Sequence, residues 1–341
     1  MNHPGGHGAR ACLRDGVMQR WARVRIACVA LVITATCIAV PVAAQLAGRL
    51  SITTGGPGGV YFPLGEGMAR VLSKYLPGTS VTAAATHGSV ENLKLIAAGK
   101  ADMGFTMVDA AWQAANGTDQ FKNKPVAART LMVLYPNRMQ VVTLEGTGIR
   151  TLADLKGRRV STGAAGSGVE VMALRVLEAM GIDPARDLKR QQLGVAEAAR
   201  ALKERKLDAF FWVGGVPTPA ISELAATAGA KIRLLDHAEV LEALNAKYGP
   251  LYVKGIIKAN AYPGMDQPVE NIDVWNLLVT DAKLSDQMAY DIVKTLVEKK
   301  AELVALHKEA QNIDLRYQKI GSPLPYHPGA RRYFEEHGVR F

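Results

Sequence analysis

Cysteine is confined to Cys12, Cys28 and Cys37, all within the first 44 residues. The rest of the chain therefore holds no disulfide, no thiolate nucleophile and no cysteine-based zinc site. The histidines beyond residue 44 are His87, His237, His307, His327 and His337, and their spacing fits no metal site. Enzyme signatures fail at defined places. Gly56-Pro-Gly58-Gly-Val-Tyr61 begins like a dinucleotide fingerprint but has tyrosine where the third glycine belongs. Ser167 lies in Ala165-Gly-Ser-Gly-Val169, which is not the G-x-S-x-G nucleophile elbow. No Walker loop and no His-Glu-x-x-His occurs. Basic residues are scattered rather than interleaved with aromatics, which argues against a nucleic-acid surface. The densest cluster, Lys203 to Lys206, reads as a solvated helix face. Beyond the N-terminus, no apolar run reaches the roughly 20 residues that span a bilayer.

What is present begins with that N-terminus. The basic flank Trp21-Ala-Arg-Val-Arg25 precedes the apolar run Ile26 to Val40, and small residues follow at Val42 and Ala44. This is the build of a secretory signal over residues 1–44, with cleavage expected before Gln45 and a periplasmic destination. An uncleaved anchor is the rival reading; the run is short for one and ends at Pro41. The 341 residues carry a net charge of +10, of which +4 belongs to the first 44 residues and +6 to the rest. A mild basic excess is compatible with attracting anions.

After the leader, strand-like and helix-like stretches alternate. Leu50–Thr53, Thr79–Ala85 and Ala101–Thr106 read as strands. Helices follow them over Tyr61–Tyr75, from Ser89 through Ala98, and over Asp109–Ala115. A second series has strands at Arg159–Thr162, Lys189–Leu193 and Asp208–Val213, with helices over Val169–Met180 and Val195–Glu204. Thr218-Pro219 reads as a cap and N1 proline, and Lys231–Leu235 as a last strand. Two strands, Leu131–Tyr135 and Gln140–Leu144, lie between the series, and Asp273–Thr280 follows them. A long amphipathic helix is expected over Ser285–Glu309. Such alternation implies an α/β fold with mostly parallel sheet and crossover helices.

Three strand-to-helix junctions share one design: Gly55 to Tyr61, Thr86 to Asn92, and Gly163 to Glu170. In open parallel sheets such junctions lie at the carboxyl ends of strands, where ligands bind. Free N–H groups at a helix start suit a carboxylate or phosphate, and glycine permits close approach. The candidate binding residues are therefore Gly56, Gly59 and Tyr61 in the first junction and Gly88, Ser89 and Asn92 in the second. Gly166, Ser167 and Gly168 stand in the third, with Asp109, Trp212, Gly214 and Pro217 at other strand ends. Each has a plain structural reading too. Ser167 with Glu170 forms a capping box, Ser89 and Asp109 are good caps, and Tyr61 and Trp212 suit core packing.

Several segments together resemble the TAXI family, solute-binding receptors of TRAP transporters. They are Thr53 to Pro63, Thr86-His-Gly-Ser-Val-Glu-Asn-Leu93, Gly99 to Phe105, Leu152 to Gly157, Gly166-Ser-Gly168, Phe211 to Pro217, Ala261-Tyr-Pro-Gly264 and Tyr326-His-Pro-Gly-Ala330. The resemblance implies a two-lobed periplasmic binding protein fold, type II-like, with each lobe a mostly parallel sheet flanked by helices and hinge strands between. Residues 45–140 with 265–341 would form one lobe and 141–264 the other. It also implies a glutamate-like amino acid or dicarboxylate ligand and a TRAP-type permease as partner. Tyr61, Ser89, Asn92 and Gly166 to Gly168 are the positions that carry the family's ligand contacts over. Val108 and His87 depart from the family pattern.

The expectation is a monomeric binding protein rather than an enzyme, with no cofactor, no metal and no nucleic acid. The alternatives are a receptor for another importer class, a ligand sensor, or a periplasmic enzyme.

Overall fold

The computed structural model describes residues 48–341, so the expected leader and its cleavage point lie outside the described residues. Ten strands form one mixed sheet: β1 Gly48–Thr53, β2 Thr79–Ala84, β3 Met103–Met107, β4 Ala128–Leu144, β5 Arg159–Ser161, β6 Lys189–Gln191, β7 Ala209–Gly214, β8 Ile232–Leu234, β9 Tyr252–Ile257 and β10 Val269–Asp281. The path runs β2-β1-β3-β10-β4-β7-β5-β6, with β8 added on β4 and β9 on β10. β1 pairs in parallel with β2 and β3, and β5 pairs in parallel with β6 and β7. The middle is antiparallel, where β10 joins β3 to β4 and β4 passes on to β7. Parallel sheet is thus confined to the two ends.

Those ends repeat one plan. The first is β1, helix α1 (Tyr61–Tyr75), β2, helix α2 (Ser89–Ala97) and β3; helix α3 (Val108–Asn116) follows. The second is β5, helix α4 (Gly168–Ala179), β6, helix α5 (Val195–Lys203) and β7; helix α6 (Pro219–Ala226) follows. In both, the strands lie in the order second, first, third. Helix α1 shows why these segments fold as they do. Leu64, Met68, Val71 and Leu72 share a buried face, and Pro63 sits in the first turn, where its missing N–H costs no hydrogen bond.

The expected pair of strands at Leu131–Tyr135 and Gln140–Leu144 is one strand of 17 residues. Pro136 does not break it because the ladder to β10 shifts register just past Trp275, the partner of Pro136, and absorbs a residue without an N–H. The long C-terminal helix is broken instead. It runs as α8 Asp286–Glu298 and α9 Lys300–Val304, then a 3-10 turn at Lys308–Asn312. That turn carries buried Glu309 inward, where it accepts from Arg138 Nη1 at 2.9 Å and from the Val216 N–H at 3.0 Å. Between Leu235 and Asp273 the sequence reading assigns nothing, and the structure has helix α7 (Leu241–Tyr248) and β9 there. Helix α10 (Pro328–Glu336) packs Tyr333 and Phe334 into the apolar cluster that also holds Ile52, Leu64, Phe105 and Leu278.

Candidate functional site

Four helices begin at the carboxyl ends of the outer parallel strands: α1 after β1, α2 after β2, α4 after β5 and α5 after β6. All four starts line one cavity of about 460 Å³, through Val60 and Tyr61, Gly88 and Ser89, Ser167 and Gly168, and Gly194 and Val195. No side chain caps α1, α2 or α5. Their first-turn amides and the positive ends of their dipoles face the cavity together. Helix α4 is capped: Ser167 Oγ accepts from the Glu170 N–H at 3.1 Å.

The two repeats touch around this space. The Glu91 N–H donates to the Gly166 carbonyl at 3.3 Å, and the Ala220 N–H donates to the Gly58 carbonyl at 3.1 Å. At Gly168 a Cβ atom would stand 2.3 Å from Met107 Cε and 2.7 Å from Ser89 Oγ, so only glycine allows this approach. Gly59 and Gly214 lie likewise against Trp212, whose indole N–H donates to Thr218 Oγ1 at 2.9 Å. That bond commits the Thr218 hydroxyl, which also donates to the Gly215 carbonyl, so Thr218 does not cap α6 as the sequence suggested.

Of the candidates read from the sequence, Gly56, Gly59, Tyr61, Gly88 and Ser89 line the cavity from the first repeat. Ser167, Gly168, Trp212 and Gly214 line it from the second. The other four stand apart from the lining. Asn92 is fully buried, and its Nδ2 donates to the carbonyls of Thr54 at 2.6 Å and Phe105 at 2.8 Å. Asp109 is fully buried and accepts from the Tyr252 hydroxyl at 3.0 Å and from the Ala110 N–H at 2.8 Å. Gly166 has positive φ and spends its N–H on Glu170 Oε2 at 2.9 Å. The Pro217 carbonyl meets His307 Nε2 at 3.2 Å.

The sequence reading missed the turn from Gln192 through Glu197, which supplies the whole fourth wall. Its one signal is Gly194 between a strand and a helix, with no capping side chain beside it. Met107, at the end of β3, was also missed.

Burial pushes the Asp109 carboxyl above the usual carboxylate range; the Arg175 charge and the Tyr252 hydroxyl pull it back. Burial also pushes the Tyr61 phenol up, against hydrogen bonds from Ser89 and Asn137. Among the described residues no lysine or arginine lines the cavity, and no cluster of three or more His, Asp or Glu could hold a metal.

The NMT1-like family model matches residues 52–338. The chain belongs to the NMT1-like family. A solved structure from Bordetella bronchiseptica RB50 is 17% identical, with 86% of this chain and 99% of that one covered and a TM-score of 0.52. Another, described as a periplasmic transporter, is 14% identical, with 85% and 93% covered and a TM-score of 0.52. A third, described as a putative L-cystine ABC transporter from Listeria monocytogenes, is 16% identical, with 80% and 98% covered and a TM-score of 0.47. The fold is that of periplasmic binding proteins, a mixed α/β sheet with flanking helices. A binding protein rather than an enzyme, and a periplasmic location, agree with this family and fold. The TAXI and TRAP assignment is corrected. The matching family is NMT1-like, and the TRAP-type permease falls as partner with the TAXI assignment. Three of the segments that suggested TAXI, Thr53 to Pro63, Thr86 to Leu93 and Gly166 to Gly168, are loops at helix starts on the cavity, where close approach favours glycine for reasons of shape.

Proposed function

We propose that this NMT1-like protein is an exported receptor that takes a small organic anion into the cavity and passes it to an ABC-type importer. The observation that carries the reading is the meeting of four helix N-termini, three without a side-chain cap, on one cavity. Each start offers unpaired N–H groups and about half a positive charge, so an anion entering meets donors from both repeats. Nine of the residues named from the sequence, Tyr61, Ser89, Gly168 and Trp212 among them, are proposed to contact it.

The two repeats are proposed to be the cores of two lobes, residues 45–140 with 265–341 and residues 141–264. Strands β4 and β10 would be the hinge, since β4 passes from its pairing with β10 to its pairing with β7 within one strand. A ligand bound by both lobes at once favours the closed form, because only contacts made in that form can shift the equilibrium.

The test is mass spectrometry of small molecules released when the purified mature protein is denatured. The reading predicts an acid in stoichiometric amount. A neutral or cationic solute in its place, or conversion of the released acid on incubation with fresh protein, contradicts it. The importer class is tested in intact cells: collapse of ATP should stop uptake of that acid, while loss of the ion gradient alone should spare it.

A further inference from the structure

Each buried or half-buried polar side chain of the lining already makes a hydrogen bond within the protein. The Tyr61 hydroxyl bonds Asn276 and accepts from Asn137 Nδ2 at 3.2 Å. Thr86 Oγ1 donates to Asn92 Oδ1 at 2.6 Å and accepts from the Gly88 N–H at 3.0 Å. Ser89 Oγ accepts from the Met107 N–H at 3.1 Å, and Ser167 Oγ and the Trp212 indole N–H are used as described. Apart from His87, Gln192 and Glu197 at the exposed edge, the remaining side-chain surface is apolar, with Met107, Val169, Leu193, Val195, Val213 and the ring of Trp212 prominent. The only carboxylate in the lining is that of Glu197, and Glu197 is exposed.

We infer that the ligand is an organic acid with an apolar body and no ammonium group. The inference rests on the anion reading above and narrows it. The helix starts supply donors for the acidic head, and the apolar side chains supply surface for the body. An ammonium group is different. It presents donors only, and burying it without a carboxylate partner is strongly unfavourable. The inner wall offers it no carboxylate, and its few polar side chains are already engaged with the protein. A sugar fails for a related reason, since its hydroxyls would exchange water for apolar walls. On this inference the dicarboxylate expected from the sequence is favoured over the glutamate-like amino acid only insofar as it lacks the ammonium group.

The test uses a matched pair on one carbon skeleton, 4-methyl-2-oxopentanoate and leucine, titrated by calorimetry into the protein stripped of bound solute by unfolding and refolding. Hexanoate, hexanesulfonate and 3-phenylpropanoate widen the acid arm; phenylalanine and glutamate widen the amino-acid arm. The oxo acid should bind at least tenfold more tightly than leucine, about 1.4 kcal/mol. Equal or tighter binding of any amino acid than of the acids overturns the inference and leaves the anion reading standing. If no acid and no amino acid binds, while the refolded protein melts as the native protein does, the anion reading itself is overturned and the inference with it.

Discussion

The two parallel repeats are built on one topology yet anchor their helix starts in opposite ways. In the first, the polar anchors are buried beneath the cavity. Asn92 ties the start of α2 to the backbone of the β1 turn and of β3, and Thr86 locks onto Asn92. In the second, the anchor is the buried carboxylate of Glu170, whose side-chain partners Arg190 and Gln192 are half-buried and exposed, respectively. Glu170 bonds the Gly166 N–H, Arg190 and Gln192, and Gln192 is exposed. The first repeat is therefore a floor held by buried bonds, while the second holds its glycine turn through a buried carboxylate whose own partners reach toward solvent.

Substitutions on the two sides should separate stability from binding. The largest effect belongs to Asn92→Ala, which strands buried carbonyls and should cost on the order of 3 kcal/mol. Urea unfolding measures it, and a loss below 1 kcal/mol would make the floor no more rigid than the second repeat. Gly168→Val comes next. Its side chain would collide with Met107 and Ser89 on the opposite repeat, so affinity for the released acid should fall at least tenfold, about 1.4 kcal/mol, by calorimetry. Unchanged affinity would mean that the repeats do not close on one another at this point. Ser167→Ala removes the cap of α4 and should cost about 1 kcal/mol in melting experiments, leaving the floor intact. The smallest effect is expected from Gln192→Ala, within about 0.5 kcal/mol, because its partner Glu170 keeps Arg190 and the Gly166 amide. A loss as large as that of Asn92→Ala would erase the contrast.

How much of this was legible in the sequence follows the same division. Helix α1 was readable to its ends, because its buried stripe, its early proline and the Pro77-Gly78 stop all agree. Both glycine turns were readable because close approach demands glycine. Asn92 and Asp109 were read as ligand candidates, and the signal was sound as far as it went: polar residues beside a helix start. Sequence does not tell which way such a residue faces, and both turn inward to the protein's own backbone and side chains. The turn at Gln192–Glu197 was missed because an uncapped helix start carries no capping residue to read, which is the same property that leaves its amides free. Helix α7 was missed because it buries only Leu244 and so has almost no apolar stripe. The importer class could not be read from glycine loops, which record the shape of a cavity and not the partner outside it.

The central claim is that backbone amides of four helix starts, drawn from both repeats, hold one anion. The most direct measurement is a titration of the ¹⁵N-labelled protein with 4-methyl-2-oxopentanoate, followed by amide resonances. The account predicts that the amides of Tyr61, Ser89, Gly168 and Val195 shift together, with one affinity, as the acid is added. Shifts confined to a single repeat, or to amides away from these four starts, would contradict it.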